Sequence, residues 1–111
     1  MVYRKSKLKA IVSEFIRLVK ARVPVERVIL FGSYAYGKPT PHSDIDLAVI
    51  SSKFKKLGDV ERIMLLSDIS RKVNTSKDVC IEPLGFTPDE LKNADYFDIA
   101  SEIRDKGEAM S

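Results

Sequence analysis

The spacing of hydrophobic residues changes along the chain, and each spacing predicts a different element. In residues 5–21 the hydrophobic positions recur at helical spacing, which predicts an amphipathic helix with its lysines and arginines turned outward. The inward positions of this helix are Leu8, Ile11, Val12, Phe15 and Val19. Residues 25–31 are apolar and rich in β-branched side chains, so they predict a buried strand that Gly32 closes.

The middle of the chain predicts a loop, a second strand and a second helix. Residues 34–43 contain Gly37, Pro39 and Pro41, which indicates a helical turn followed by a loop. Residues 44–50 begin with alternating polar and apolar positions and become wholly apolar, as a strand does when it runs from a site into a core. A helix is then predicted from its N-cap Asp59 to near Asn74. Its core-facing positions are Val60, Ile63, Leu66, Ile69 and Val73.

The last third of the chain predicts one more strand and one more helix. Residues 78–82 are the third strand candidate. Thr87, Pro88 and Glu90 match a capping box with proline at the first helical position, so a closing helix is expected to run to Gly107. Its inward positions are Ile99, Ala100 and Ile103. The order of elements predicts an α/β chain of the α+β type, with a small mixed β-sheet covered by helices.

Length and composition limit the class of protein. With 111 residues the chain has room for one hydrophobic core, so we expect residues 1–111 to form a single domain. The one cysteine, Cys80, cannot form an internal disulfide, and we expect it to be a small core residue. No apolar stretch after Met1 resembles a signal peptide, and no apolar run approaches the roughly 18 residues that span a bilayer. We therefore expect a cytoplasmic protein without a membrane segment.

The net charge of +3 is unevenly distributed along the chain. Residues 1–50 contain nine Lys or Arg and four Asp or Glu, whereas residues 51–111 contain ten and twelve. A basic N-terminal half could attract nucleic acid or polyphosphate. We interpret it instead as the solvated face of the first helix, and we do not expect a nucleic-acid partner.

The residues that carry chemistry lie between the first two strands. Gly32 and Ser33 follow a strand, where a glycine and a small hydroxyl side chain allow the backbone to approach a ligand closely, which suits a triphosphate. Asp44 and Asp46 are two residues apart in a strand, so their carboxylates project from one face, about 6.5–7 Å apart at Cα. Oxygen ligands of this kind favour Mg²⁺ or Mn²⁺, which also bind substrate phosphates.

These residues resemble the signature of the DNA polymerase beta-like nucleotidyltransferase superfamily, and within it the minimal nucleotidyltransferases. The signature is Gly-Ser, ten residues, then Asp-x-Asp, and the chain matches it with Gly32-Ser33, residues 34–43 and Asp44-Ile45-Asp46. The resemblance implies that Gly32 and Ser33 bind a nucleoside triphosphate. It also implies that Asp44 and Asp46 bind two catalytic metal ions.

The same resemblance implies a third carboxylate on the next strand. Asp78 is the best match, as a metal ligand that also activates the incoming hydroxyl, and Glu82 is the reserve candidate because it lies on the same face of a strand. Many minimal members have arginine at the position of Tyr36. Tyr36 and Lys38 are therefore the remaining candidates for nucleotide binding in this chain.

The function that the resemblance implies is transfer of AMP from ATP to a hydroxyl acceptor, with release of pyrophosphate. It points to a HEPN-domain partner as acceptor, as in two-gene toxin–antitoxin pairs in which the transferase silences the toxin. Two alternatives stay open: a non-catalytic subunit that neutralises a partner by contact, and an enzyme that modifies a small-molecule antibiotic. The sequence leaves open the acceptor, the base, the activity without a partner, and formation of a homo-oligomer.

Overall fold

The computed structural model describes residues 2–74, 80–95 and 98–111. Within these residues the helices are α1 (Lys5–Lys20), α2 (Asp59–Val73), α3 (Pro88–Lys92) and α4 (Ile99–Lys106). The strands are β1 (Arg27–Phe31), β2 (Ile45–Ile50), β3 (Ile81–Phe86) and β4 (Glu108–Ala109). Short 3₁₀ turns cover Gly32–Tyr34 and Ser52–Lys56.

The strands form a mixed sheet in the order β3-β2-β1-β4. β1 pairs antiparallel with both β2 and β4, and β2 pairs parallel with β3. The register places Phe31 of β1 and Glu82 of β3 on either side of Asp46 of β2. The predicted α+β class with a small mixed sheet is therefore confirmed, and the sheet brings the ends of three strands together around one carboxylate.

Helices cover the two faces of this sheet. Because successive strand residues point to opposite faces, Leu30 and Leu47 pack with α1 and α2, while Phe31 and Ala48 pack on the opposite face. The second cluster contains Leu91 of α3 together with Ala100 and Ile103 of α4. Asp46 shares the face of Ala48, so the predicted site lies on the side of the sheet that α3 and α4 cover.

Helix α2 differs from its prediction in two ways. Gly58, not Asp59, precedes the helix, and the Glu61 carboxylate accepts a hydrogen bond from the Gly58 N–H at 3.0 Å. Leu66 is buried as predicted, but Val60 and Ile63 are 68% and 53% exposed. The helical spacing was read correctly, but the apolar positions in the first turns belong to the outer face and not to the core.

The third strand lies further along the chain than predicted. β3 occupies Ile81–Phe86, and the predicted residue Asp78 falls outside the described residues. Pro83 and Gly85 lie within β3, and an edge strand tolerates a proline because one row of its backbone groups needs no partner in the sheet. Gly85 is required by packing, since a Cβ there would lie 2.9 Å from a ring carbon of Phe54.

The predicted closing helix is two helices and a short strand. The capping box is confirmed, because Thr87 Oγ1 accepts from the Glu90 N–H at 3.1 Å and Glu90 accepts from the Thr87 N–H at 2.8 Å. α3 nevertheless ends at Lys92, and α4 begins only at Ile99, which is 47% exposed and not inward-facing. The strand β4, beside β1, was not predicted.

A buried arginine connects the loop before α2 to the far end of β3. Arg62 of α2 donates to the carbonyl oxygens of Phe54 at 2.6 Å and Leu57 at 3.1 Å. It also reaches the Gly85 carbonyl at 3.3 Å and pairs with Glu90 at 2.6 Å.

Among the described residues, no helix is long and apolar enough to cross a membrane.

Candidate active site

The Gly32-Ser33 turn is shaped by contact with a carboxylate. Gly32 has φ +73°, a backbone conformation that residues with a side chain rarely adopt. A Cβ at this position would lie 2.2 Å from Oδ2 of Asp46. The glycine therefore allows both the turn and the approach of Asp46 to the backbone that follows β1.

Ser33 is held in place by its neighbours in the turn. The carbonyl of Gly32 accepts the N–H groups of Ala35 and Tyr36, both at 3.1 Å. Gly37 packs directly on Ser33, since a Cβ at position 37 would lie 2.8 Å from the Ser33 Cα. This packing gives a physical reason for the second glycine of the segment, and it fixes the backbone from which the Ser33 hydroxyl projects.

Three carboxylates gather at the beginning of β2. Asp44 immediately precedes the strand and Asp46 lies within it, while the residue between them, Ile45, is fully buried on the opposite face. Glu82 of β3 is the register partner of Asp46. Parallel pairing therefore places Glu82, the reserve candidate for the third carboxylate, beside Asp46, while the first candidate, Asp78, lies outside the described residues.

The carboxylates disfavour one another's ionisation. Burial raises the pKa of Asp46 to about 6, and the negative charges of Glu82 and Asp44 contribute to the shift. Burial also raises the pKa of Glu82, with further contributions from the charge of Asp44 and a hydrogen bond with it. A bound cation would remove this repulsion.

The donor chemistry of the cluster fits a hard divalent cation. Carboxylate oxygens are the ligands that Mg²⁺ and Mn²⁺ prefer. Across residues 2–74, 80–95 and 98–111, no three His, Cys, Asp or Glu side chains converge closely enough to form a metal cage by themselves. Mg²⁺ in phosphate-transfer sites is held by one or two carboxylates together with water and substrate phosphates, so a complete protein cage is not required.

The Tyr36 side chain lies between α4 and the phosphate turn, where Gly32 and Asp46 also influence its hydroxyl. Its hydroxyl donates to the Glu102 carboxylate at 2.6 Å. Burial and this hydrogen bond raise the pKa of Tyr36, so the phenol stays protonated and neutral at neutral pH. The second candidate, Lys38, is exposed in the loop that follows. Lys38 is therefore exposed to solvent, and Tyr36 makes a hydrogen bond with Glu102 that the sequence did not indicate.

Cys80 is exposed, which corrects the expectation that it is a core residue. A hydrogen bond with Asp44, followed by burial, raises the pKa of its thiol to about 11. The thiol is therefore protonated at neutral pH and is a poor nucleophile. Its position before β3, where its carbonyl accepts from the Ile45 N–H at 2.9 Å, explains the exposure.

An apolar cavity opens beside Asp46 and Glu82. Its volume is about 430 Å³, and the two carboxylates lie at its wall together with Phe31 of β1. The rest of the lining comes from α2, β3 and α4: Ile63, Ser67, Pro83, Leu84 and Ile99. The carboxylates therefore separate the Gly32-Ser33 turn from a cavity that could receive a second reactant.

The mixed sheet thus carries a Gly-Ser turn against an acidic strand end. The chain belongs to the nucleotidyltransferase domain family, whose model matches residues 12–106. No curated protein matches the chain. Family membership makes the protein a nucleotidyltransferase by class.

Solved structures share this fold. A protein from Sulfolobus solfataricus assigned as a nucleotidyltransferase has a TM-score of 0.66 at 17% identity, covering 93% of this chain and 78% of that one. A toxin–antitoxin with AMP-PNP has a TM-score of 0.62 at 22% identity, covering 89% and 71%. A mutant of the toxin–antitoxin MntA-HpeT has a TM-score of 0.61 at 20% identity, with the same coverage. At these identities the likeness concerns the fold.

Proposed function

We propose that this chain transfers AMP from ATP to a hydroxyl group of another molecule and releases pyrophosphate. The observation that carries the proposal is the contact between the phosphate turn and the acidic cluster. Gly32 lies against Asp46, and Asp46 faces Glu82 across the sheet. A triphosphate at the turn would therefore have its phosphates next to the carboxylates that hold metal.

The turn supplies the triphosphate contacts in this proposal. The Ser33 hydroxyl donates to a phosphate oxygen, and the missing side chain of Gly32 allows the phosphate chain to lie close to the backbone. Lys38 adds a positive charge from the following loop. The tie between Tyr36 and Glu102 positions the backbone at the end of the turn.

The acidic cluster holds the metal ions. Asp44 and Asp46 are ligands of Mg²⁺ or Mn²⁺, with a third carboxylate from Glu82 or Asp78. When bound, the ions neutralise charge on the transferred phosphoryl group and the leaving oxygen. Of the two candidates for the third carboxylate, Glu82 is the one whose register partner is Asp46.

The reaction is an in-line displacement at the α-phosphorus. The acceptor oxygen forms a bond to that phosphorus while the bond to the oxygen that bridges to the β-phosphorus breaks. Pyrophosphate leaves with the bonding electron pair, and the acceptor proton passes to the third carboxylate. Glu82 is the register partner of Asp46, and this position beside the site suits it to accept the proton.

We further propose that the acceptor is a HEPN-domain protein, which the modification silences. Two of the structures that share the fold are toxin–antitoxin complexes, one of them with AMP-PNP. The apolar cavity beside the carboxylates offers a surface that a second reactant could contact. The chain would then act as the antitoxin.

Two differently labelled nucleotides test the proposal. With ATP labelled at the α-phosphate, the label should move to the HEPN-domain protein when Mg²⁺ is present, and EDTA should abolish the transfer. With ATP labelled at the γ-phosphate, the label should appear in pyrophosphate and not on the protein. Label on the acceptor from the γ-position would contradict nucleotidyl transfer and indicate a kinase.

The third carboxylate is tested by single amide substitutions. Glu82→Gln should lower the transfer rate by about 100-fold or more if this group accepts the proton, while Asp78→Asn should have a smaller effect. Glu14→Gln, on the exposed face of α1, is the matched control and should leave the rate unchanged. The reverse order of effects would assign the role to Asp78.

A further inference from the structure

The outer face of α2 is apolar and exposed. Val60, Ile63 and Met64 are 68%, 53% and 66% exposed, and their spacing places them on one side of the helix. Ile99, at the start of α4, is another large hydrophobic residue with high exposure. The inner face of α2 already packs on the sheet through Leu66 and Ile69, so the outer residues are not needed for the core.

This outer face continues into the cavity beside the catalytic carboxylates. Ile63 and Ile99 both line the cavity that contains Asp46 and Glu82. A neighbouring cavity of about 380 Å³ shares Ile99 and extends to the beginning of α2 and the end of α3. Together with the exposed outer face of α2 they form a groove between α2 and α4, which we call the acceptor groove. It comprises the residues of both cavities and the adjoining side chains Val60 and Met64.

The acceptor groove has an acidic border. Asp46 and Glu82 line one cavity, and Asp59 and Asp98 line the other. The ion pairs found among the described residues leave these four carboxylates without a basic partner. The one arginine in the lining, Arg62, is already paired with Glu90. Asp46 and Glu82 are the proposed metal ligands, so the unbalanced negative charge beside the apolar floor comes from Asp59 and Asp98.

We propose that the acceptor groove docks the acceptor protein through an amphipathic helix, whose apolar stripe contacts Val60, Met64 and Ile99 and whose flanks carry lysine or arginine. The proposal rests on the proposed function, because it assumes that the acceptor is a protein. An apolar groove with hydrophobic positions at helical spacing suits a helix laid along it. The acidic border selects basic flanks by charge complementarity.

A second copy of this chain fits the groove less well. A symmetric dimer through this surface would place the same acidic border against itself. Like charges in apposition oppose association, so the surface favours a partner of opposite charge. The continuity of the groove with the catalytic cavity also gives the docked partner a direct path for its hydroxyl to Asp46.

Two synthetic helical peptides test the groove. Both carry leucine at positions i, i+3, i+4 and i+7, but one has lysine and the other glutamate along the flanks. We expect the lysine peptide to bind the full chain at least about tenfold more tightly in fluorescence anisotropy. Met64→Lys and Val60→Lys should each weaken this binding about tenfold or more.

Ala10→Lys, on an exposed position of α1, is the matched control and should bind the peptide like wild type. All three variants should keep the melting temperature of the parent, since the replaced side chains are exposed. Equal binding of the two peptides, or binding unaffected by both groove substitutions, would overturn the proposal. So would a wild-type dimer that Met64→Lys alone dissociates, because a second copy would then occupy the groove.

The proposed function is measured separately in the same proteins. Met64 lies outside the lining of the catalytic cavity, so Met64→Lys should keep the rise in melting temperature that ATP with Mg²⁺ gives the wild type. Absence of this rise in the wild type would contradict the proposed function, whatever the peptides do. Presence of the rise without selective peptide binding would overturn only the docking proposal.

Discussion

Replacing Asp46 by asparagine should stabilise the metal-free protein while removing its activity. The pKa of Asp46 is raised from 3.8 to about 6, chiefly by burial and then by the charges of Glu82 and Asp44. At neutral pH the Asp46 carboxylate is charged, and its burial and the neighbouring negative charges make that charged form unfavourable. Asparagine has nearly the same shape and no charge, so it removes the repulsion and also removes a ligand that Mg²⁺ requires.

The pH dependence has a definite sign. The pKa of Asp46 is higher in the folded protein than in the unfolded chain, so the folded state binds the proton more tightly between about pH 4 and pH 6. The stability of the protein therefore falls as pH rises through this window. A shift of about two units corresponds to about 3 kcal/mol if it is fully expressed. Asp46 is partly exposed, so solvent screening reduces this to about 1 kcal/mol.

The assay is thermal unfolding of Asp46→Asn and wild type in EDTA between pH 4 and pH 7. The melting temperature of the variant should be about 4 °C above that of the wild type at pH 7, where the charged carboxylate destabilises the wild type by about 1 kcal/mol. The gain should disappear near pH 4, where the wild-type carboxyl is protonated in the folded protein. Adding Mg²⁺ and ATP should stabilise the wild type and not the variant.

A structural role for Asp46 gives the opposite pattern. The variant would then melt several degrees lower at pH 7, because a paired carboxylate had been lost, and transfer per folded molecule would remain near the wild-type rate. That pair of results would refute the metal-site reasoning. Lower stability with lost activity would refute the electrostatic argument and leave the catalytic assignment standing.

Three further substitutions have expected outcomes. Gly32→Ala should lower the free energy of unfolding, measured in urea, by about 1–2 kcal/mol, because φ is +73° and the new Cβ meets a carboxylate oxygen. ATP binding should weaken as well. Ser33→Ala should keep the melting temperature and lose about 1–3 kcal/mol of transition-state binding, measured as kcat/KM for ATP. Arg62→Met should lower the free energy of unfolding by about 3–5 kcal/mol, because it leaves buried carbonyl oxygens without a donor. Its control, Arg71→Met, removes an exposed ion pair and should lower that free energy by less than about 1 kcal/mol.

The parts of the fold that the sequence predicts best are those in which local pattern and tertiary packing agree. α1 ends one residue before the predicted bound and otherwise matches its prediction, and β1 and β2 lie in the predicted apolar segments. The capping box at Thr87 is a local hydrogen-bond pattern, so it could be recognised without knowledge of the fold. The site motif could likewise be recognised locally, because Gly32 and Ser33 are adjacent and a fixed spacing separates them from Asp44 and Asp46.

The parts that were predicted wrongly depend on long-range contacts. Nothing local in Val60 or Ile63 shows which face of α2 will contact the sheet. The location of β3 depends on its parallel pairing with β2, which also decides that Glu82 lies beside Asp46. The sequence indicated Glu82 as a candidate only through its period-two spacing from Asp78. That spacing predicts which face of the strand Glu82 occupies, but it does not predict the register of the strand with β2. The β4 strand, with two residues, is too short to have a hydrophobic period.

Asp46 divides the active site into two sides that substitutions should affect separately. On one side Gly32 touches its carboxylate, and on the other an apolar cavity opens toward α2 and α4. If the triphosphate occupies the first side and the acceptor the second, changes at Ser33 alter the KM for ATP, whereas changes at Met64 alter the KM for the acceptor. Sites that share no partner combine additively, so the double variant should show the sum of the two free-energy losses. Strong non-additivity would mean that one reactant contacts both sides of Asp46, and the division of the site would have to be abandoned.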